Sequence, residues 1–431
     1  MEQNTVLTAA LRAGLYDRSL AALYGEGGAP RERALRLAEV FGERFPASCA
    51  NAALFSAPGR TELGGNHTDH QHGHVLCASV DMDTMACAAP NGERVIRVHS
   101  EGYAPLSVSL DDLSVQKAEE NTTAALIRGV AAKIAELGCP IGGFDAAVTS
   151  NVLSGSGLSS SAAFEVLLCN IANRFFCGGK LDSIEIAKIS QYAENVYFGK
   201  PCGLMDQMGC SVGGAISIDF ADPSAPVVKK AAYDFALSGH ALCIIDTGSG
   251  HADLTDDYAA IPREMGAVAA FFGKNVLREV PEEDFLAELP ALRERCGDRA
   301  VLRAMHYYDD DRAAQAEAGA LERGDFGGFL ALLNASGYSS ALQLQNVCPY
   351  ADPRRQAVLL SIALAKKLLA GAGAVRVHGG GFAGTIQAFV PLGGLEAFKR
   401  GMEAVLGAGK CHVLRIRPQG GCVILPDERG G

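Results

Sequence analysis

One nine-residue stretch concentrates side chains that bind ligands. Asn66 to His74 reads NHTDHQHGH and contains four of the ten histidines of the chain, with one aspartate among them. Imidazoles bind transition metals, and His70, His72 and His74 alternate, so on an extended strand they would share one face. Against a metal, Gly73 interrupts the run and no cysteine lies nearby. We therefore expect polar loop residues at the mouth of a ligand pocket, and a metal site is the less favoured hypothesis.

A second candidate site is the stretch SGSGLSSSAA, which leads into a long apolar helix. The free N–H groups and the positive dipole end of a helix N-terminus attract phosphate. The stretch is neither a P-loop nor a dinucleotide fingerprint, because no Gly-Lys-Ser/Thr and no third glycine follow. A flexible turn with one serine cap is the alternative, but three serines leave spare hydroxyls for a triphosphate or Mg²⁺. The predicted nucleotide-binding residues are Gly155, Gly157, Leu158, Ser159, Ser160 and Ser161.

The elements that must position these residues alternate between helices and strands. Apolar residues from Ala34 to Phe45 follow helical spacing until Pro46, and AALFSAPG then predicts a strand that enters a turn. The stretch NTTAALIRGVAAKIAELG predicts an amphipathic helix that is capped by Asn121 or Thr122 and ends at Gly138.

Further elements flank the Gly/Ser stretch and the C-terminal region. The alternation of Phe144, Ala146 and Val148 predicts a half-buried strand. Asp352 as N-cap and Pro353 at the first helical position predict the start of a helix. The strands AVRV and TIQAFV follow, with the tight glycine loop HGGGFAG between them. This alternation, without a short repeat, indicates an α+β protein with two lobes.

Length and composition limit the organisation and the partners. The 431 residues suffice for two lobes, which we place at 31–222 and 223–431, after a helical appendage and linker at 1–30. The net charge of −11 disfavours nucleic acid or an anionic membrane as partner. Thirteen cysteines without a C-x-x-C pair fit a reducing compartment. Without a signal-like start or an eighteen-residue apolar run, we expect a cytoplasmic protein; nothing indicates its oligomeric state.

Four segments together resemble motifs of the sugar and mevalonate (GHMP) kinase superfamily. They are APGRTELGGNHTDHQHGHVL, VLSGSGLSSSAAFEVLL, QYAENVYFGKPCGLMDQMGCSVGG and VHGGGFAGTIQAFV. The order and spacing match, and the chain most closely resembles the galactokinases, from about Arg31 to the RPQGGCVIL near the end. The resemblance implies a two-lobed α+β fold with ATP and sugar bound between the lobes. It also implies small-molecule partners and phosphorylation of the anomeric hydroxyl of galactose, with ATP and Mg²⁺.

The resemblance implies roles for single residues. Asp206 falls where the family keeps the carboxylate that faces the anomeric hydroxyl, and Arg60 falls where its arginine partner lies. Glu194 and Ser160 fall where the family binds Mg²⁺, and the glycine turn 379–381 matches a turn beside the active site. The positions that match sugar-binding residues are Asn66, His67, Asp69, Gly203 and Tyr258.

The chemistry of phosphoryl transfer requires these residue types. Catalysis of this reaction consists chiefly of positioning and charge neutralisation. If Asp206 pairs with Arg60, the pKa of the carboxyl group should fall, so that it orients the hydroxyl and takes its proton late. The alternatives are an ordinary salt bridge for this pair and a solvated helix face for Glu194.

The sugar-binding segment departs from the family pattern at two positions. Galactokinases usually read GEHTDY, whereas this chain has Asn66 and His70 at the second and last of these positions. A neutral amide in place of a carboxylate would no longer repel an acidic sugar, so galacturonate, N-acetylgalactosamine and arabinose are alternative acceptors. A sensor that binds sugar and ATP without turnover is the alternative of another class. Retention of the complete predicted catalytic set speaks against the sensor.

Overall fold

A computed structural model describes residues 5–152, 157–250, 254–350 and 354–427. These residues form two sheets surrounded by helices. The strands are β1 (Ala53–Gly64), β2 (His74–Pro90), β3 (Val95–Ser100), β4 (Leu106–Ser109), β5 (Phe144–Ser150), β6 (Ala215–Asp219), β7 (Val227–Lys230), β8 (His240–Asp246), β9 (Ala374–Val377), β10 (Thr385–Pro391), β11 (Cys411–Leu414) and β12 (Cys422–Ile424).

Helices cover both sheets, and the part of the sequence between β8 and β9 is largely helical. The α-helices are α1 (Thr5–Arg12), α2 (Asp17–Tyr24), α3 (Ala29–Arg44), α4 (Thr123–Glu136), α5 (Ser160–Phe175), α6 (Ser183–Tyr192), α7 (Met205–Val212), α8 (Thr255–Phe271), α9 (Glu282–Ala287), α10 (Leu289–Cys296), α11 (Asp298–Glu322), α12 (Phe326–Ser339), α13 (Ala357–Leu369) and α14 (Leu395–Leu406). Two π-helical turns, Ala193–Phe198 and Ser340–Leu344, directly follow α6 and α12.

The large sheet is buried on both faces. Its strand order is β12-β1-β2-β5-β3-β4. Strand β6 pairs with the N-terminal part of β2, and β7 pairs with β6. Because successive side chains alternate between faces, Cys87 and Ala147 pack with residues of α1 to α3. Their neighbours Ala88 and Ala146 pack with residues of α4 and α5. The strand predicted at Phe144 is therefore confirmed, but the prediction that it is half-buried is wrong.

The small sheet has the strand order β11-β8-β10-β9 and is antiparallel in the described part of the chain. Helices α13 and α14 pack on one face, and residues of α12 pack on the other. The predicted boundary after residue 222 does not divide the sheets, because β7 and β12 lie beyond it and belong to the large sheet. None of the described helices is long and apolar enough to cross a membrane.

Several predicted element boundaries can be compared with the structure. Helix α3 and the cap of α4 are confirmed, since the Thr122 hydroxyl accepts the backbone N–H of Ala125. The predicted turn at APG is wrong: β1 continues to Gly64, with a register irregularity between Pro58 and Arg60. Helix α13 begins at Ala357; the helix start predicted at 352–353 lies outside the described residues.

Candidate active site

The predicted pair of Asp206 and Arg60 is in direct contact. Helix α7 presents Asp206 in its first turn, and β1 presents Arg60, whose guanidinium is buried. Arg60 Nε and Nη2 donate to Asp206 Oδ1 over 2.8 and 2.5 Å. The Ser159 hydroxyl donates to the other carboxylate oxygen, and Arg60 Nη1 donates to the carbonyl of Gly157. One arginine thus joins the carboxylate to the Gly/Ser loop.

The surroundings of Asp206 determine its ionisation. Burial opposes the charged form, but the Arg60 charge and the hydrogen bonds from Ser159 and Arg60 outweigh it and lower the pKa of Asp206. The side chain of Asp206 still has 31% of its surface exposed. The carboxylate is therefore ionised at neutral pH and remains accessible to an acceptor hydroxyl.

The Gly/Ser loop leaves the first turn of α5 open. Ser159 precedes the helix with a left-handed φ of 57°, and its hydroxyl makes no cap hydrogen bond to the helix. Gly157 also has a positive φ, of 72°, which favours glycine because it has no Cβ. In the described part of this loop, no side chain therefore caps the N–H groups that could bind phosphate. Gly155 lies outside the described residues.

Two other predicted nucleotide-binding residues differ in accessibility. Leu158 is fully buried in the core, and its carbonyl accepts the Arg60 backbone N–H over 3.1 Å. Its side chain thus packs within the core, whereas Ser160 begins α5 and is half-buried. The next residue, Ser161, donates its hydroxyl to Glu194 Oε1 over 3.2 Å. The serine hydrogen-bonded to the predicted metal ligand is thus Ser161, one position beyond the predicted Ser160.

Glu194 lies in the π-helical turn after α6 and is only 2% exposed. Such turns occur frequently at functional sites. Its carboxylate accepts hydrogen bonds from Gln207 Nε2 at 2.8 Å and Lys200 Nζ at 3.1 Å. A solvated helix face, the alternative explanation for Glu194, is therefore wrong.

The oxygen donors around Glu194 fit Mg²⁺. The ion prefers oxygen ligands and takes many of them from water and phosphate, so one carboxylate and a serine hydroxyl form a suitable protein contribution. The side chain of Lys200 is 60% exposed, which allows it to move away from Glu194 when a cation binds. Within the described ranges, no group of three or more His, Cys, Asp or Glu is arranged to hold a metal ion.

The backbone of Asn66 is held from both sides by α11. Its N–H donates to Asp310 Oδ2 over 2.6 Å, and its carbonyl is 2.9 Å from His306 Nε2. The other ring nitrogen of His306 is 2.8 Å from the Ser339 hydroxyl of α12. Burial lowers the pKa of His306, and because a carbonyl oxygen only accepts hydrogen bonds, Nε2 carries the proton that is donated to Asn66. We call this arrangement the backbone clamp.

The side chain of Asn66 is fully buried and hydrogen-bonded within the protein. Its Nδ2 donates to Glu62 Oε1 and to the Gly379 carbonyl, both over 2.8 Å. Its Oδ1 accepts from Asn346 Nδ2 over 2.8 Å. Both amide hydrogens are thus engaged, and the predicted contact with a sugar substituent would require these bonds to rearrange. That contact stays a prediction.

His67 and Asp69 are less buried than Asn66. The His67 ring nitrogen Nε2 lies 3.0 Å from the Gly380 carbonyl. Burial and the neighbouring His70 lower the pKa of His67 to about 4, so this ring is neutral. A Cβ placed on Gly203 would lie only 2.4 Å from Asp69 Oδ2. The structure thus brings Asp69 and Gly203, two predicted sugar-binding residues, into contact.

The glycine turn 379–381 lies between the predicted sugar-binding segment and the Gly/Ser loop, which we call the phosphate loop after its predicted ligand. The Tyr258 hydroxyl donates to the Gly381 carbonyl over 2.7 Å. A Cβ on Gly380 would lie 2.7 Å from the Tyr258 ring, and one on Gly379 would lie 3.9 Å from Gly157. Tyr258 therefore supports the turn, and its predicted contact with a sugar stays a prediction.

The remaining histidines, His70, His72 and His74, do not lie together on one extended strand. Asp69–Gln71 is a 3₁₀ turn, and His72 has a left-handed φ of 60°. His74 begins β2, and its ring nitrogens lie 3.3 Å from Asp219 Oδ2 and 3.0 Å from Asp311 Oδ1. The strand geometry considered for a metal site is therefore wrong, and His74 contributes to contacts with α11.

Several residues of this region carried no recognisable signal in the sequence. His306, Asp310 and Asn346 belong to no motif, and their partner Asn66 lies 240 to 280 positions away. Gln207 could have been identified from the sequence, because it directly follows Asp206 in the MDQ motif. Its Nε2 joins Glu194 to the buried carboxyl group of Glu165 over 2.8 and 3.3 Å.

Comparisons with known proteins agree with this geometry. The model of the GHMP kinase N-terminal domain matches residues 125–214, and that of the galactokinase galactose-binding signature matches residues 39–90. The chain is 30% identical over 387 residues to the galactokinase of Streptomyces coelicolor, covering 88% of this chain and 96% of that protein. It is 29% identical over 371 residues to the galactokinase of Streptomyces lividans, covering 84% of this chain and 89% of that protein.

Solved structures show the same fold. The galactokinase of Lactococcus lactis, complexed with galactose, has a TM-score of 0.75 at 23% identity and covers 89% of this chain and 97% of its own. The mevalonate kinase of L. major has a TM-score of 0.57 at 16% identity and covers 87% of this chain and 98% of its own. The predicted α+β, two-lobed GHMP kinase fold is thereby confirmed.

Proposed function

This chain belongs to the galactokinase family, and we propose that it transfers the γ-phosphoryl group of ATP to the anomeric hydroxyl of galactose. The observation that carries the proposal is the position of Asp206. Its partly exposed carboxylate is bound by Arg60 and Ser159, at the point where the phosphate loop meets the residues predicted to bind sugar. A carboxylate beside an acceptor hydroxyl and an open helix N-terminus are the two parts that phosphoryl transfer requires.

Asp206 orients the acceptor hydroxyl. With its lowered pKa, the carboxylate is a weak base toward a neutral alcohol. It therefore takes the proton late, when bond formation to phosphorus has made that proton acidic. Arg60 keeps the carboxylate ionised and fixes its direction through two hydrogen bonds to one oxygen.

The nucleotide phosphates bind at the start of α5 in this proposal. The uncapped N–H groups after Ser159 and the helix dipole favour negative charge there. Glu194, together with the hydroxyl of Ser160 or Ser161, would hold Mg²⁺. When bound, that ion neutralises charge on the β- and γ-phosphates and helps to position them.

The contacts of Asn66 favour a neutral sugar over an acidic one. Both of its amide hydrogens are donated to protein oxygens, so the amide has no free donor for the carboxylate of galacturonate. The amide thus offers an acidic sugar no hydrogen bond, but it does not repel one either, so galacturonate stays an alternative acceptor. Galactose is the acceptor that we propose.

The test is ADP release by purified protein with MgATP and, in separate reactions, galactose, galacturonate, N-acetylgalactosamine, arabinose and glucose. Asp206→Asn provides the blank, since it keeps the size of the side chain but removes the charge. We expect turnover chiefly with galactose and none above background in the variant. Faster turnover with another sugar would replace the substrate and retain the mechanism, whereas saturable sugar binding without ADP release would establish a sensor.

A further inference from the structure

The two oxygens of the Glu194 carboxylate have different neighbours. Oε2 accepts a hydrogen bond from Gln207 Nε2 over 2.8 Å and lies 3.3 Å from Cys202 Sγ. Gln207 is fully buried, so packing fixes this contact. Oε1 accepts instead from the Ser161 hydroxyl over 3.2 Å and from Lys200 Nζ over 3.1 Å. Oε1 is therefore the oxygen that can exchange a partner when a ligand enters.

Lys200 is held at its backbone and free to move at its side chain. Its backbone N–H donates to the Glu194 carbonyl over 3.2 Å, and the N–H of Gly199 donates to the same carbonyl over 3.1 Å. The side chain of Lys200 is 60% exposed. Because a lysine carries its ammonium group on a flexible four-carbon stem, this group can leave Oε1 while the backbone stays in place.

Two carboxylates attract the Lys200 ammonium group. Partial desolvation opposes its charge, but Glu194 and, more weakly, Asp206 outweigh this effect and raise the pKa of Lys200. Burial raises the pKa of Asp206, the Arg60 charge and the Ser159 hydroxyl lower it, and Lys200 adds to the lowering. The ammonium group thus lies within electrostatic reach of both the predicted metal ligand and the carboxylate that faces the acceptor hydroxyl.

Lys200 and a divalent cation cannot share Glu194 Oε1, because like charges at contact distance repel each other. With Mg²⁺ at Glu194, the ammonium group must therefore find another anionic partner. Asp206 is already bound by Arg60 and Ser159. In the proposed function, the γ-phosphate of ATP lies between the metal-bound phosphates and the acceptor hydroxyl at Asp206, so it is the anion that lies in this direction.

We propose that Lys200 is a phosphate-binding residue that occupies Glu194 in the free protein and moves to the γ-phosphate of ATP when the divalent cation binds. The proposal rests on the proposed function and adds a residue to it. In the transfer, the bond from the sugar oxygen to the γ-phosphorus forms. The bond to the oxygen that bridges the β- and γ-phosphorus breaks, and its electron pair stays on ADP. Lys200 remains protonated and stabilises the charge on the outer phosphoryl oxygens.

The binding test is isothermal titration calorimetry with MgADP and with the magnesium complex of AMP-PNP, an ATP analogue whose γ-phosphate is not transferred. Lys200→Met keeps the length of the side chain and removes its charge. We expect the Kd of the AMP-PNP complex to rise about fivefold or more. The Kd of MgADP should stay equal or fall, because Oε1 has lost a competing cation.

Lys410→Met is the matched control, since it removes the lysine that pairs with Asp246 over 2.5 Å in the small sheet. Both Kd values should stay at the wild-type level in this variant. Equal increases for the two nucleotides in Lys200→Met would show that Lys200 only supports the site structurally. Unchanged values for both nucleotides would also overturn the proposal. Failure of wild type to bind either nucleotide would refute the proposed function together with the role of Lys200.

ADP release with galactose tests the same residue during turnover. We expect kcat to fall about 20-fold or more in Lys200→Met. Lys200→Arg retains the charge and should lie between this value and wild type. Undiminished turnover in Lys200→Met would refute the role of Lys200 and leave the proposed function intact. If wild type phosphorylates no sugar, the proposed function fails, whereas the calorimetry still decides whether Lys200 recognises the γ-phosphate.

Discussion

The sugar-binding segment and the phosphate loop are adjacent, yet they are held in different ways. Asn66, at the start of the sugar-binding segment, is fixed by buried hydrogen bonds to α11, to the glycine turn and to Asn346. The described part of the phosphate loop, 157–161, is held chiefly through Arg60 and Asp206. Near Asn66, the contacts are neutral or buried and are complete before a ligand arrives. In the phosphate loop, the contacts are charged and can be redistributed when a highly charged nucleotide binds.

The largest effect that separates the two regions should come from Arg60→Met. We expect kcat to fall about 100-fold or more, because Asp206 loses the donors that orient it and the Gly157 carbonyl loses its tether. We also expect a loss of about 3 kcal/mol in the free energy of unfolding, since one partner of a buried ion pair is removed. Steady-state ADP release and urea unfolding measure the two quantities.

Arg33→Met is the matched control for this variant. Arg33 pairs with the buried Asp83 in the large sheet and donates to the Thr149 carbonyl, and its guanidinium forms no hydrogen bond to Asp206 or to the described residues 157–161. The substitution should destabilise the protein to a similar extent and leave kcat of the folded enzyme nearly unchanged. A normal kcat in Arg60→Met would contradict the role assigned to the ion pair.

The backbone clamp can be tested with His306→Leu, whose effect should be smaller and of another kind. The Asn66 carbonyl and the Ser339 hydroxyl each lose a buried partner, so we expect KM for galactose to rise about tenfold, equivalent to about 1.4 kcal/mol, with kcat little altered. His306→Gln restores a donor and should recover part of the loss. His412→Leu, in the small sheet, serves as control; a fall in kcat without a rise in KM would show that the clamp does not position the sugar.

Glu62 makes the stability of the sugar-binding side depend on pH. Burial raises the pKa of Glu62 to about 7, against the opposing charges of Arg376 and Arg60. Because the folded-state pKa exceeds the unfolded-state value of 4.5, its contribution is complete below pH 4.5 and is lost as pH rises through about 7. The shift corresponds to about 3 kcal/mol.

Glu62→Gln should therefore remove part of the decline in Tm that wild type shows between pH 5 and 8. The difference between the two Tm curves isolates Glu62 from other buried carboxyl groups. The exposed substitution Glu43→Gln should follow the wild-type curve. Parallel curves for wild type and Glu62→Gln would mean that Glu62 is ionised throughout this range.

The smallest expected effect concerns His67. Its pKa is lowered to about 4, so the ring remains neutral from pH 5.5 to 8. We expect His67 to add no inflection to the pH dependence of KM for galactose over this range when ionic strength is fixed. An inflection near pH 6.5 that disappears in His67→Asn would show that the ring titrates as an exposed histidine does.

The sequence indicated the local arrangement of the Gly/Ser loop better than the arrangement around Asn66. Gly157 and Ser159 belong to a local pattern, because a glycine- and serine-rich loop directly before an apolar helix indicates a helix N-terminus that can bind phosphate. The clamp on Asn66 has no local signal: Asp310 lies within a long helix with other acidic residues, and only the fold brings it to the loop. The family resemblance identified Asp206 and Arg60 as a pair. Their separation of 146 positions gives no local signal of this contact.

Errors in the predicted elements have similar causes. The proline and glycine of APG predict a turn, but pairing with β2 keeps them in β1, where a register irregularity accommodates them. The strand at Phe144 alternates with small residues, and alanines can be buried as readily as larger apolar residues when helices cover both faces. Tertiary contacts decided both outcomes.

Strand β12 pairs with β1 through Leu54 and Ile424, and this pairing has a consequence for biosynthesis. The strand that carries Arg60 gains this neighbour only after residue 424 has left the ribosome. Until then, the backbone groups of β1 at that edge have no partner from the chain, and the nascent protein presents an open sheet edge. A stop codon shortly before position 422 would thus remove the partner of this edge and would leave an aggregation-prone product.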